Sequence, residues 1–182
     1  MGLIIVIVLV AILVIMAFSY YNRFVILTNR IDNSLSQINV QLKRRADLIP
    51  NLIETVKGFA KHEKEAIKAV TDARKALVSA RNLQGKVKAN SQLESALKTI
   101  FAIAEGYPDL KANTNFLELQ RELAATEDKV AYSRQFYNDS ILSYNNMVEK
   151  FPGNIFAAMY GKKKKKFFEI AEADKKLPKV SF

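Results

Sequence analysis

Hydrophobic positions open this chain as an unbroken block and only later resolve into stripes. Leu3 to Phe18 reads LIIVIVLVAILVIMAF, and no charged side chain precedes Arg23. The uncharged stretch from Met1 to Asn22 is long enough to cross a hydrocarbon core of about 30 Å, which takes about 20 helical residues. Each Leu, Ile, Val or Phe at depth contributes about −0.3 to −0.6 kcal/mol, so the run totals about −5 to −9 kcal/mol with no charge opposing it. Tyr20 and Tyr21 fit an interfacial aromatic belt, and Arg23 sits where its head would snorkel to the headgroups. A cleaved signal would show a basic leader, a shorter apolar core and small residues at the cut. Here only Met-Gly leads, and two tyrosines follow Ala17-Phe18-Ser19. Residues 1–22 are therefore read as a membrane anchor rather than a signal or a buried core helix.

Beyond the anchor the apolar positions recur at three- and four-residue steps, the period of a helix with one buried face. Phe24, Leu27, Ile31, Leu35, Ile38 and Leu42 make the first stripe, whose next position is Arg45. This predicts a helix continuous with the anchor to about Asp47. Pro50 marks either the start of a second helix or a kink in one long one. The second stripe holds Ile53, Val56, Phe59, Ile67, Val70 and Leu77, with a break between Gly58 and Lys64 left open. Asn82 to Asn90 reads as a loop, and Ser91-Gln92-Leu93-Glu94 as a capping box opening a third helix. That helix faces Leu93, Leu97, Ile100, Ala104 and Tyr107 inward and stops at Gly106 and Pro108. A fourth begins near Asn115, carries Phe116, Leu123, Val130, Tyr137, Ile141, Tyr144 and Val148, and closes at Phe151-Pro152-Gly153. A short helical segment (Ile155 to Tyr160), a lysine run and a tail follow. No repeat or sustained strand-like alternation appears, so the chain reads as all-α: a transmembrane helix and then a bundle of about four long helices.

Composition narrows what such a protein can do. The chain has no cysteine and one histidine, which excludes disulfides, thiolate zinc sites and cysteine nucleophiles together. His62-Glu63-Lys64-Glu65 begins like a zinc-protease motif, but Ala66 stands where the second histidine belongs. With no phosphate loop and no nucleophile set beside a base, no catalytic, cofactor or metal residues are assigned, and the protein is read as non-enzymatic. The net charge of +10 invites an anionic partner. Nucleic acid is disfavoured because no recognition motif accompanies the charge.

Two polar features remain. Arg45, Glu63, Arg74, Glu127 and Arg134 occupy positions within the apolar stripes. Glu127 and Arg134 lie two turns apart, about 10 Å, too far to pair with each other. A buried network joining helices is therefore expected, flanked by Asn138 and Asn145. It would set helix register, or else line a polar pocket or ion path, and it suits packing better than a metal site; Arg134→Met would cost about 3–5 kcal/mol by stranding a carboxylate. The other feature is Lys162, Lys163, Lys164, Lys165 and Lys166, followed by Phe167 and Phe168. Near an anionic leaflet each lysine contributes about 1 kcal/mol, and the two rings would either insert or cover the end of the bundle.

RRADLIPNL (Arg44 to Leu52), VKGFAKHE (Val56 to Glu63), DAR (Asp72 to Arg74), YPDLKAN (Tyr107 to Asn113), LQRELAATE (Leu119 to Glu127), SRQFYN (Ser133 to Asn138), YNNMVEKFP (Tyr144 to Pro152) and FFEIAEADKKLPKVSF (Phe167 to Phe182) resemble the LemA family, in that family's order and over nearly the whole chain. The resemblance implies a single N-terminal membrane helix and an antiparallel bundle, here residues 23–160, with 161–182 as basic run and tail. It implies no catalytic residues; the lysine run is where this sequence departs most from the family's pattern. Lys and Arg follow the anchor (Arg23, Arg30, Lys43, Arg44, Arg45) and none precedes it, which puts the N-terminus outside and the bundle in the cytoplasm. Two functions are expected from this: a scaffold or tether for an unnamed protein partner at the inner face of the membrane, or a surface module that binds anionic lipid through its lysines.

Overall fold

A single helix, α1 (Gly2–Phe59), carries the apolar run and continues past it through Pro50. The computed structural model describes residues 1–168; the remaining tail, 169–182, lies outside the described residues, and with it most of the FFEIAEADKKLPKVSF block. After α1 come α2 (Lys64–Ser79), α3 (Leu83–Ala104), the short α4 (Pro108–Lys111), α5 (Thr114–Glu149) and α6 (Gly153–Met159). Among the described residues there is no strand, and the chain is all-α.

The stripe on α1 explains why Pro50 does not end it. Ile38, Leu42, Arg45, Ile49, Leu52 and Val56 are all buried and stay in one register through the proline. The stripe expected to restart at Ile53 and include Phe59 is thus corrected: Leu52 takes the inward position, and Phe59 is exposed. The break comes instead after Phe59, where Ala60 to Glu63 turn the chain into α2. The loop expected over Asn82–Asn90 is also corrected, because it forms the first turns of α3. Asn82 is the N-cap, its Oδ1 accepting from the Gly85 N–H at 2.7 Å. Ala89, Asn90 and Leu93 already face inward, so Ser91-Gln92-Leu93-Glu94 lies inside the helix, and Glu94 pairs with Lys98 at 2.7 Å.

The residues divide into two compact units: Met1–Gln37 with Ser133–Phe168, and Ile38–Tyr132. In the first, α1 and α5 run antiparallel. Phe24 meets Tyr144 edge-on at 5.8 Å, and the Ser34 and Ser140 hydroxyls lie 3.4 Å apart. α6 closes onto the same aromatic cluster, with Phe156 stacked on Tyr20 at 4.7 Å. A Cβ on Gly153 would collide with the Met147 carbonyl and press on the Tyr20 ring, so only glycine permits this approach. Gly161, at φ +62°, ends α6: its N–H reaches Ala158 O, and Lys162 N–H reaches Ala157 O at 2.8 Å. In the second unit α2 packs on α3. Val70 and Leu77 of α2, Leu93, Leu97 and Ile100 of α3, and Phe116, Leu123 and Val130 of α5 are buried with the stripe of α1.

Candidate functional site

Among the described residues the polar side chains within the stripes make separate contacts. Arg45, 3% exposed, donates from Nη1 to Asn90 Oδ1 at 3.0 Å and is ion-paired with Glu127. Asn90 is a member that periodicity does not reveal, since it falls in the stretch whose composition reads as a loop. The rest of the guanidinium is less well served: its Nε, like Gln41 Oε1 one turn earlier, is buried without a partner among the described residues. Arg74 pairs with backbone rather than a carboxylate. Pro50 has no N–H to give the carbonyl four residues back. That carbonyl belongs to Ala46, and Arg74 Nε donates to it at 2.8 Å. Glu63 sits at the N-cap position of α2 and accepts from the Tyr107 hydroxyl at 2.8 Å. This hydrogen bond, with some burial and the carboxylate's own charge, raises the Tyr107 pKa above the ordinary phenol value.

Arg134 and Asn138 belong to the other unit. Arg134 lies over the Phe168 ring at 4.7 Å, a contact the apolar stripe does not announce. Asn138 Nδ2 donates to Phe168 O at 3.0 Å, and its Oδ1 accepts from Phe168 N at 2.8 Å. Asn145 makes the same pair of hydrogen bonds with Lys165, its Nδ2 donating to Lys165 O and its Oδ1 accepting from Lys165 N–H, both at 2.9 Å. Seven helical residues rise about 10 Å, and three extended residues cover nearly the same span. The two asparagines therefore stitch residues 165 and 168 along α5 at matched spacing. Phe168 is 7% exposed, edge-on to Tyr137 at 6.2 Å, and is covered by protein rather than free to insert. Lys165 lies over Tyr144 at 5.3 Å and Lys164 pairs with Glu149, whereas Lys163, Lys166 and Phe167 remain exposed.

At the other end of the same unit the Tyr160 hydroxyl donates to the Ala17 carbonyl at 2.7 Å, across 143 positions of sequence. Tyr21 meets Tyr160 edge-on at 5.4 Å. Val14, Ala17, Phe18, Tyr21 and Tyr160 line an open groove of about 360 Å³. The apolar part of α1 that leads into it is wholly unburied and long enough to cross a membrane. In the second unit a groove of about 450 Å³ runs between α1 and α5, lined by Glu54, Glu118 and Glu122 among others. Arg44 bridges to Glu122 at its edge at 2.9 Å. Among the described residues no three His, Asp or Glu side chains converge as metal ligands would.

Residues 34–182 match the LemA family. Protein LemA of Metamycoplasma hominis is 28% identical over 130 residues, covering 71% of this chain and 59% of the relative. Magnetosome protein MamQ of Magnetospirillum gryphiswaldense is 25% identical over 174 residues, covering 81% and 64% respectively. Magnetosome protein MamQ 2 of Paramagnetospirillum magneticum is 24% identical over 175 residues, covering 82% and 64%. The chain thus spans about three fifths of the length of these curated relatives. None of their names states a reaction.

Proposed function

The chain belongs to the LemA family, and on that premise we propose that it is a non-catalytic tether which holds a protein partner at the inner face of the cell membrane. The observation that carries this is the continuity of α1: one helix supplies both the lipid-length apolar run and core positions as far as Val56. Orientation follows the basic residues after the anchor, which keep the bundle in the cytoplasm. The partner surface is the groove between α1 and α5, where Glu54 and Glu118 present negative charge beside the Arg44–Glu122 pair, on a chain of net charge +10. It would take a basic segment. A photo-crosslinker at Leu48 or Thr55, which line this groove, should capture a discrete protein in native membranes. The adduct should be lost with Glu118→Lys and absent when the crosslinker replaces Val78. Equal labelling at Val78, or no adduct at either groove position, would remove the tether reading.

The second function expected from the sequence, anionic lipid held by the lysine run, has less support. Phe168 is turned into protein, Lys164 is paired, and Lys165 covers Tyr144.

A further inference from the structure

Ile155 and Met159 stand one turn apart on α6 and are 57% and 59% exposed, and Phe151, in the turn just before the helix, is 80% exposed. A stripe that faced water would be polar, and aligned exposed apolar side chains mark a surface that something else covers. The opposite side of α6 is already occupied, because Gly153, Phe156 and Ala157 are buried. The exposed stripe is thus a surplus apolar face on a helix that has satisfied its own packing.

Its place in the fold says what covers it. α6 is fastened to the end of the apolar run through Tyr160 on the Ala17 carbonyl and Phe156 on Tyr20. Twenty residues from Gly2 rise about 30 Å, the thickness of the hydrocarbon core, so Ala17 to Tyr21 sit in its last turn and at its boundary. α6 is held at that depth. The groove of about 360 Å³ between Val14, Ala17, Phe18, Tyr21 and Tyr160 extends the lipid-facing wall of α1 onto it. Lys150 precedes the stripe and Lys163 follows it, both exposed, where their ammonium groups reach lipid phosphates.

We propose that α6 is a second, interfacial contact with the bilayer. Phe151, Ile155 and Met159 lie among the headgroups and upper acyl chains, and a phospholipid chain occupies the groove beside Tyr160. Membrane attachment then has two parts, a span and a collar docked on its inner end. This rests on reading the apolar run as the anchor.

The chain contains neither tryptophan nor cysteine, so one introduced tryptophan reports alone. Full-length protein is reconstituted in phosphatidylcholine vesicles with and without lipid brominated near the glycerol end of its chains. Ile155→Trp and Met159→Trp should emit at short wavelength and be quenched by bromolipid to the extent of Phe18→Trp. Tyr132→Trp, exposed in the other unit, should emit as in water and remain unquenched. If the α6 probes match Tyr132→Trp, the proposal is overturned. A short-wavelength emission that bromolipid leaves untouched overturns it too, because protein then covers the stripe. Leu9→Trp separates the two levels. Quenching at Leu9 without quenching at 155 and 159 removes the collar alone, whereas no quenching at Leu9 removes the anchor and the collar together.

Discussion

Arg45 shows how a cation can occupy a core position. Losing Glu127 leaves the guanidinium with Asn90 alone. Breaking a buried pair costs about 3–5 kcal/mol, but the Glu127 side chain keeps 30% exposure, so Glu127→Leu should cost about 2 kcal/mol in denaturant unfolding. The double variant Arg45→Met/Glu127→Leu should recover most of that loss, since it removes the stranded charge. Arg134→Met should cost about 1–2 kcal/mol, the worth of a half-buried cation over a buried ring. Tyr107 titrates in the opposite sense to a paired acid. An unfolded chain releases this proton near pH 10, and the folded chain releases it only at higher pH. The contribution is therefore complete below about pH 10 and is lost as pH rises through the folded value. Glu63→Gln should return the phenol toward its ordinary value, read by carbon NMR of ring-labelled tyrosine. At this scale the sequence disclosed which polar residues lie inward but not their partners. A backbone carbonyl freed by a proline, or an asparagine one turn into an unrecognised helix, leaves no periodic mark.

Among the elements, α1 was the most legible. Phe24, Ile31, Ile38, Leu42 and Arg45 fall on the inward face as their spacing requires. Local rules failed where tertiary contacts outweighed them. Pro50 suggested a boundary, yet the buried face runs on and Arg74 supplies the missing donor. Arg74→Met should therefore cost about 1–3 kcal/mol, because it leaves a buried carbonyl unpaired. Adding Pro50→Ala, which restores the N–H, should recover most of the loss in the same unfolding measurement. The start of α3 was hidden because a capping-box pattern at Ser91 drew the boundary away from the true cap at Asn82. The strap along α5 was invisible, since it depends on matching the rise of a helix to the reach of an extended segment. Asn138→Ala should expose the Phe168 amide to hydrogen exchange, and Asn145→Ala the Lys165 amide, each with α5 still helical.

At the scale of the whole molecule, fold class and a helix long and apolar enough to cross a membrane were readable at once, because a block of uncharged residues and a helical period are properties of composition and spacing. Trypsin added to sealed right-side-out vesicles should leave the bundle intact, and the same treatment of inverted vesicles should digest it. The reverse result would invert the proposed topology.

The bond from Tyr160 to Ala17 joins residues that leave the ribosome far apart in time. Synthesis delivers the anchor first, and its Tyr20 and Tyr21 wait without Phe156 and Tyr160 until α6 emerges. A chain stopped before Gly153 would lack both partners. This aromatic contact therefore closes only after the rest of the helices have been made, which puts it among the last native contacts the chain can form.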